Sequence, residues 1–128
     1  MWTTTDIATL LEKNGLWKTE IEQQSLIITN EDNVTAYLAV SGDQILIEAL
    51  LFQAQQVINE DTLNKEILRT HKLFPLTSIG INTIQNQDYY VAFGALSSQS
   101  KAESIVIEIS TLFQNIEIFI DLYQEHLK

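Results

Sequence analysis

Ser98 and Lys101 are spaced as a Ser-x-x-Lys pair, in which a serine at a helix start meets a lysine one turn on. The Ser-Asp-Asn and Lys-Thr-Gly elements that accompany this pair in serine β-lactam enzymes are absent, and 128 residues cannot hold that fold. Helix capping accounts for the same serines without catalysis. The two histidines, His71 and His126, lie among polar residues. Neither has a second strong ligand at i+3 or i+4 beyond ordinary helix acids, so a metal set does not form along the chain. Glu31-Asp32 and Glu60-Asp61 are paired carboxylates at turn or helix-start positions, where acids are expected. Glu48 is an acid inside an apolar strand and reads as an edge gatekeeper facing water, in preference to a partner of Lys65 or Arg69. No phosphate-binding glycine loop exists, and there is no cysteine for thiol, disulfide or zinc chemistry. The residues therefore nominate no catalytic, cofactor or metal site.

The acids outnumber the bases 17 to 7, a net charge of −10 that repels phosphate backbones and anionic lipid. Nucleic acid is an unsuitable partner, and an acidic surface keeps exposed apolar patches soluble. No run approaches the ~20 apolar residues of a membrane span. Met1-Trp2-Thr3-Thr4-Thr5-Asp6 lacks the basic and apolar regions of a signal peptide, so the expected location is the cytoplasm, with no direct membrane insertion.

The elements that would position any site can be read from periodicity. A first helix is expected over 5–14, capped by Thr4 or Thr5, with Ile7, Leu10 and Leu11 inward and Gly15 as its stop. Strands are expected over 16–22, 25–29, 34–40 and 45–52, the last so apolar that both its faces should be covered. A helix from 59 to about 72 should turn Leu63, Ile67 and His71 inward, and Pro75 bars its continuation. Segments 76–84 and 89–96 read as a hairpin around 85–88, with Tyr89 and Tyr90 on opposite faces. The expected fold is one α+β domain over 1–128: an antiparallel sheet with helices packed on it, in the order α-β-β-β-β-α-β-β-α.

The last helix, expected from Lys101 to about Leu127, carries more apolar surface than one sheet can cover. Ser100-Lys101-Ala102-Glu103 has the pattern of a capping box. Ile105, Ile109, Leu112, Phe113, Ile116, Ile120 and Leu127 form one stripe. Ile107, Ile118 and Leu122 fall on another side and are the candidate protein interface.

Three stretches carry a resemblance: Ala36-Tyr37-Leu38-Ala39-Val40-Ser41-Gly42, then residues 67–76 from Ile67 to Leu76, then residues 92–103 from Ala92 to Glu103. Over nearly its full length the chain resembles the YjfI-like family of uncharacterised bacterial proteins. That family has no established catalytic residues to carry over. The resemblance implies a context, because such proteins tend to be encoded beside homologues of phage-shock protein A, a coiled-coil membrane-maintenance protein. The element order is also similar to that of class I type III secretion chaperones, which are small, acidic, dimeric α+β proteins that hold an extended partner segment.

The expectation is a non-enzymatic, acidic binding module, chaperone- or adaptor-like, forming a homodimer through the last helix. Its protein partner would be a phage-shock-protein-A-like coiled coil, and no cofactor is called for. The alternative is a small-molecule-sensing or minor hydrolytic domain with a pocket near the start of the last helix. Ser98, Lys101, His71 and Arg69 would then be its groups.

Overall fold

The structure, a computed structural model, describes residues 1–128. The chain runs α1 (Thr4–Asn14), β1 (Lys18–Glu22), β2 (Ser25–Thr29), β3 (Thr35–Ser41), β4 (Gln44–Gln53), α2 (Glu60–Thr70), β5 (Ser78–Ile84), β6 (Gln87–Ser97) and α3 (Ala102–Tyr123). Short 3-10 turns follow β4, α2 and α3. The six strands form one antiparallel sheet in the order β1-β2-β3-β4-β6-β5. The expected α+β class and element order are therefore observed.

Alternation decides which side chains meet the helices. Leu26, Leu38, Ile47 and Gly94 stand in one row across β2, β3, β4 and β6. Ile7 and Leu11 from α1, Leu63 and Ile67 from α2, and Ile105, Ile109 and Leu112 from α3 join the same 23-residue core cluster. All three helices thus cover one face of the sheet. Each fully buried Leu or Ile contributes about 1.5–3 kcal/mol of apolar transfer.

The other face is open, which corrects the expectation that β4 is covered on both sides. Tyr37 and Leu50 are exposed there, and Ile27, Leu46 and Phe93 are half-buried. A bulge between Leu50 and Phe52 keeps β4 in phase with its neighbour: Leu50 pairs Val91 and Phe52 pairs the very next residue, Tyr90. The Phe52 and Tyr90 rings meet with centroids 5.2 Å apart. Glu48 also departs from its expected place. It lies on β4 inside the sheet, not at an edge, between Tyr37 and Phe93, and accepts a hydrogen bond from Asn82 Nδ2 at 3.2 Å.

Turns and caps are more local. Gln85 and Asn86 both have positive φ, the two-residue loop that matches the twist of a hairpin, so β6 starts at Gln87. The α1 cap is Thr3, in a reciprocal box with Asp6, one or two residues before the expected one. The proposed box at the start of α3 does not form: Lys101 is the N-cap and caps with no side chain. The Ser100 carbonyl instead accepts the Trp2 indole N–H at 2.6 Å. Leu16 and Trp17 precede β1 and do not belong to it; Leu16 is exposed, and the Trp17 ring tilts over Phe113 at 5.7 Å. At the other end α3 stops at Tyr123, so Leu127 is not part of its stripe and pairs with Val57 in a single bridge.

Candidate interaction surface

α3 spans 22 residues, about 33 Å at 1.5 Å per residue. Its inner side buries Ile105, Ile109, Leu112, Phe113, Ile116 and Phe119. The outer side carries Ile107, Ile118 and Leu122, at 54%, 46% and 38% exposure. Eleven and four residues apart, these three fall within a narrow sector of a 3.6-residue helix, and no element of the chain packs over them. Thr111 and Gln114 lie between them on the same side, with Glu117 and Asp121 alongside.

Two buried polar residues sit on the sheet side of α3. Asn115 Nδ2 donates to Pro75 O at 3.1 Å and to Thr77 Oγ1 at 2.9 Å. Those acceptors flank Leu76, which has φ 66° at the centre of a γ-turn closed by the Thr77 N–H on Pro75 O at 2.8 Å. The Glu108 carboxyl lies over Gly94, and its Oε2 has no partner. Burial pushes the Glu108 pKa above the usual carboxylate value. Sequence reading passed over both residues, because one Glu and one Asn within an amphipathic helix read as solvated until the helix phase is known.

The groups nominated for chemistry do not converge. Ser98 is fully buried: its carbonyl accepts the Trp2 N–H, its own N–H donates to Asp43 O, and its Oγ is unpartnered. Lys101, the N-cap just before α3, is exposed. At the opposite end of that helix, Tyr123 Oη meets Thr70 Oγ1 at 3.0 Å, which places the C-terminus of α2 there. Arg69, on that last turn of α2, is exposed. His71, just beyond it, accepts the Ile79 N–H on Nε2 at 3.0 Å and sits outside α2, in the 3-10 turn. Ser98 and Lys101 are thus about one helix length from His71 and Arg69.

His126 is not among unrelated polar groups. Its Nε2 lies 2.5 Å from Glu66 Oε2 on α2 and 3.9 Å from Glu125 Oε1. These three side chains are the residues that could hold a metal, with ligand atoms within 4.8 Å of one another. The pair also acts as a clasp: the Ile58 N–H donates to His126 O at 2.8 Å, the Lys128 N–H to Gln56 O at 2.8 Å, and Leu127 bridges Val57. No sequence signal joins Glu66 to His126, since sixty residues separate them. No helix is long and apolar enough to cross a membrane.

A one-faced antiparallel sheet under a long C-terminal helix defines an α+β fold that resembles the fold of type III secretion chaperones. The fold superposes on YbjN from Escherichia coli with TM-score 0.75 at 16% identity, covering 95% of this chain and 91% of that one. It matches a chain of the HopA1–SchA chaperone–effector complex at TM-score 0.65 and 12% identity, covering 88% of each. It matches a chain of the ExsC–ExsE complex at 0.65 and 14%, covering 99% and 97%. At these identities the likeness is one of fold. By sequence, the chain belongs to the family of uncharacterized proteins conserved in bacteria termed DUF2170, whose model matches residues 1–127. It is 29% identical over 117 residues to the uncharacterized protein YjfI of Escherichia coli K12, covering 83% of this chain and 88% of that one. The expected YjfI-like membership and chaperone-type fold are both found.

Proposed function

We propose that this protein is a non-enzymatic, acidic adaptor or chaperone that works by binding other proteins. The observation that carries the reading is the outer stripe of α3. Ile118 with Leu122, and Ile107 three turns away beyond Thr111 and Gln114, are exposed apolar side chains on one side of a well-packed helix with nothing over them. In a chain of net charge −10 such a side is an interaction surface in search of apolar cover. Two fold neighbours described as or within complexes, HopA1–SchA and ExsC–ExsE, lend support, because the same architecture there is found with a bound partner. The stripe joins two copies into a homodimer in the cytoplasm. The dimer then engages a coiled-coil partner of the phage-shock-protein-A class, the partner implied by the YjfI-like resemblance.

Light scattering over a concentration series tests the first step, with a dimer expected at twice 14.6 kDa. Ile118→Glu with Leu122→Glu should give a folded monomer, with the far-ultraviolet circular dichroism unchanged, because both positions are exposed. A dimer that survives the double substitution would remove the α3 interface. Co-purification of the wild type with a phage-shock-protein-A homologue tests the second step, and its failure would remove that partner.

A further inference from the structure

A cavity of about 310 Å³ opens on the flank of α3, beside the outer stripe. That lies at the lower end of the ~300–1,000 Å³ of ligand pockets. Three segments distant in sequence build it: Leu16 and Trp17 ahead of β1, Asn30, Glu31 and Asp32 after β2, and Ser110, Phe113, Gln114 and Glu117 on α3. Its apolar lining is Leu16 with the Trp17 and Phe113 rings, the two rings tilted at 50° with centroids 5.7 Å apart. Carboxylates stand on both sides, Glu31 and Asp32 on the loop and Glu117 on the helix, and no Lys, Arg or His lines it. The loop is preorganised, because Asn30 Oδ1 accepts the N–H groups of Asp32 at 3.0 Å and Val34 at 2.9 Å.

The three carboxylates are also free of partners within the chain. Every ion pair in the molecule involves His126, with Glu66 or Glu125. The nearest cationic candidate along the sequence, Lys18, lines a separate groove on the other side of Trp17. An indole beside a phenyl ring, faced by carboxylates from two directions, suits a cation that is flat on one side and rich in donors at its rim. A guanidinium meets both demands: it stacks on an aromatic face and pairs bidentately with carboxylates. A lysine ammonium is a point charge and uses only part of this surface.

We infer that the cavity between Trp17, Phe113, Asp32 and Glu117 is a receptor for an arginine side chain of the protein partner. Gln114 and Glu117 border both this cavity and the outer side of α3. A partner segment running along this flank of α3 therefore places an arginine here while Ile107, Ile118 and Leu122 stay covered within the dimer. The inference takes the source of the arginine from the protein-binding reading above. The recognition itself belongs to the pocket and can be tested without any partner.

The test is a titration of isotopically labelled protein with N-acetyl-L-arginine amide, followed by two-dimensional NMR. The Trp17 indole N–H and the backbone amides of Asp32, Gln114 and Glu117 should shift together on one saturating curve. N-acetyl-L-citrulline amide has the same shape without the charge and should bind at least about tenfold more weakly. The lysine analogue should also bind more weakly than arginine. Asp32→Asn with Glu117→Gln changes two exposed residues, should leave the rest of the spectrum in place, and should weaken arginine binding about tenfold or more.

Citrulline binding as well as arginine would overturn the inference. So would shifts that rise without saturation at every exposed acid, or a Trp17 indole that does not move. Equal binding of the lysine analogue would overturn the assignment to arginine. The same titration on Ile118→Glu/Leu122→Glu separates this inference from the reading it rests on. Arginine binding in a wild type that never self-associates would keep the pocket and remove the α3 interface. A dimer with no arginine binding would do the reverse.

Discussion

Glu108 and Gly94 share one volume: the Glu108 carboxyl rests where a side chain at position 94 would stand, and the Leu76 carbonyl closes the same space at 3.3 Å. Here the long helix comes close to the centre of the sheet. Gly94 is needed for the approach and not for its backbone angles, since only Gly15 and Gly42 among the glycines have positive φ.

Gly94→Ala should therefore destabilise the fold by about 1–3 kcal/mol through overpacking, because the carboxyl it displaces is itself buried. Adding Glu108→Ala opens the space and should recover part of that loss. A double-mutant cycle by urea denaturation reads the coupling between the two positions. Additive effects would mean that the two side chains do not compete.

Glu108 also sets a pH dependence. Burial raises its folded-state pKa above the unfolded value, so the folded state holds this proton more tightly than the unfolded chain. The stability this contributes is fully present below the unfolded carboxylate pKa and is lost as pH rises through the folded one. Glu108→Gln keeps the shape and removes the titration. Its urea midpoint should exceed that of the wild type by a margin that grows with pH over this window. A constant margin would show that the group does not titrate differently on folding.

Tyr90 should be the last tyrosine to ionise. Burial, with a smaller contribution from the nearby Glu60 charge, pushes its pKa up to about 12, and its hydroxyl donates to Asn64 Oδ1 at 2.6 Å. Because the folded value is raised, the associated stability is complete below pH 10 and is lost as pH climbs towards 12. Tyrosinate absorbance should show two delayed groups, Tyr90 and Tyr123, both held up by burial, and Tyr90→Phe should remove the later one. The substitution should cost about 1–3 kcal/mol at neutral pH, since Asn64 loses its partner.

Asn115 ties the γ-turn at Leu76 to α3. Asn115→Ala removes two hydrogen bonds and leaves the Pro75 carbonyl and the Thr77 hydroxyl without them, at an expected cost of about 2–4 kcal/mol. Hydrogen exchange should accelerate first at the Thr77 amide. Unchanged protection there would mean that the turn holds itself.

Much of the molecule was legible from local patterns. Ile7 with Leu11, and the series Ile105, Ile109, Leu112, Phe113 and Ile116, named the buried faces of α1 and α3 because a helical period points them one way. Tyr89 and Tyr90 fell on opposite faces as strand alternation requires, with Tyr90 buried and Tyr89 half-buried, its Oη accepting from Gln53 Nε2 at 3.0 Å. Ile107, Ile118 and Leu122 were separable from the core stripe by the same period and prove exposed.

What failed depended on groups far apart in sequence. The serines before α3 looked like caps, but Trp2 takes the Ser100 carbonyl. Glu48 looked like an edge residue because strand order is not a local property. The run 45–52 looked buried on both sides, since composition counts apolar residues and cannot count the layers above them.

The sequence by itself determined element types, the inward faces of the helices and the apolar excess of α3, because these follow from periodicities of two and 3.6 residues. Only the tertiary structure decided that all helices share one face and that Glu108 needs Gly94. It alone clasped His126 to Glu66 and closed Trp17, Asp32 and Glu117 around one cavity. Each of these depends on how strands order and helices dock, where the interacting groups are tens of residues apart and the chain carries no local mark of their meeting.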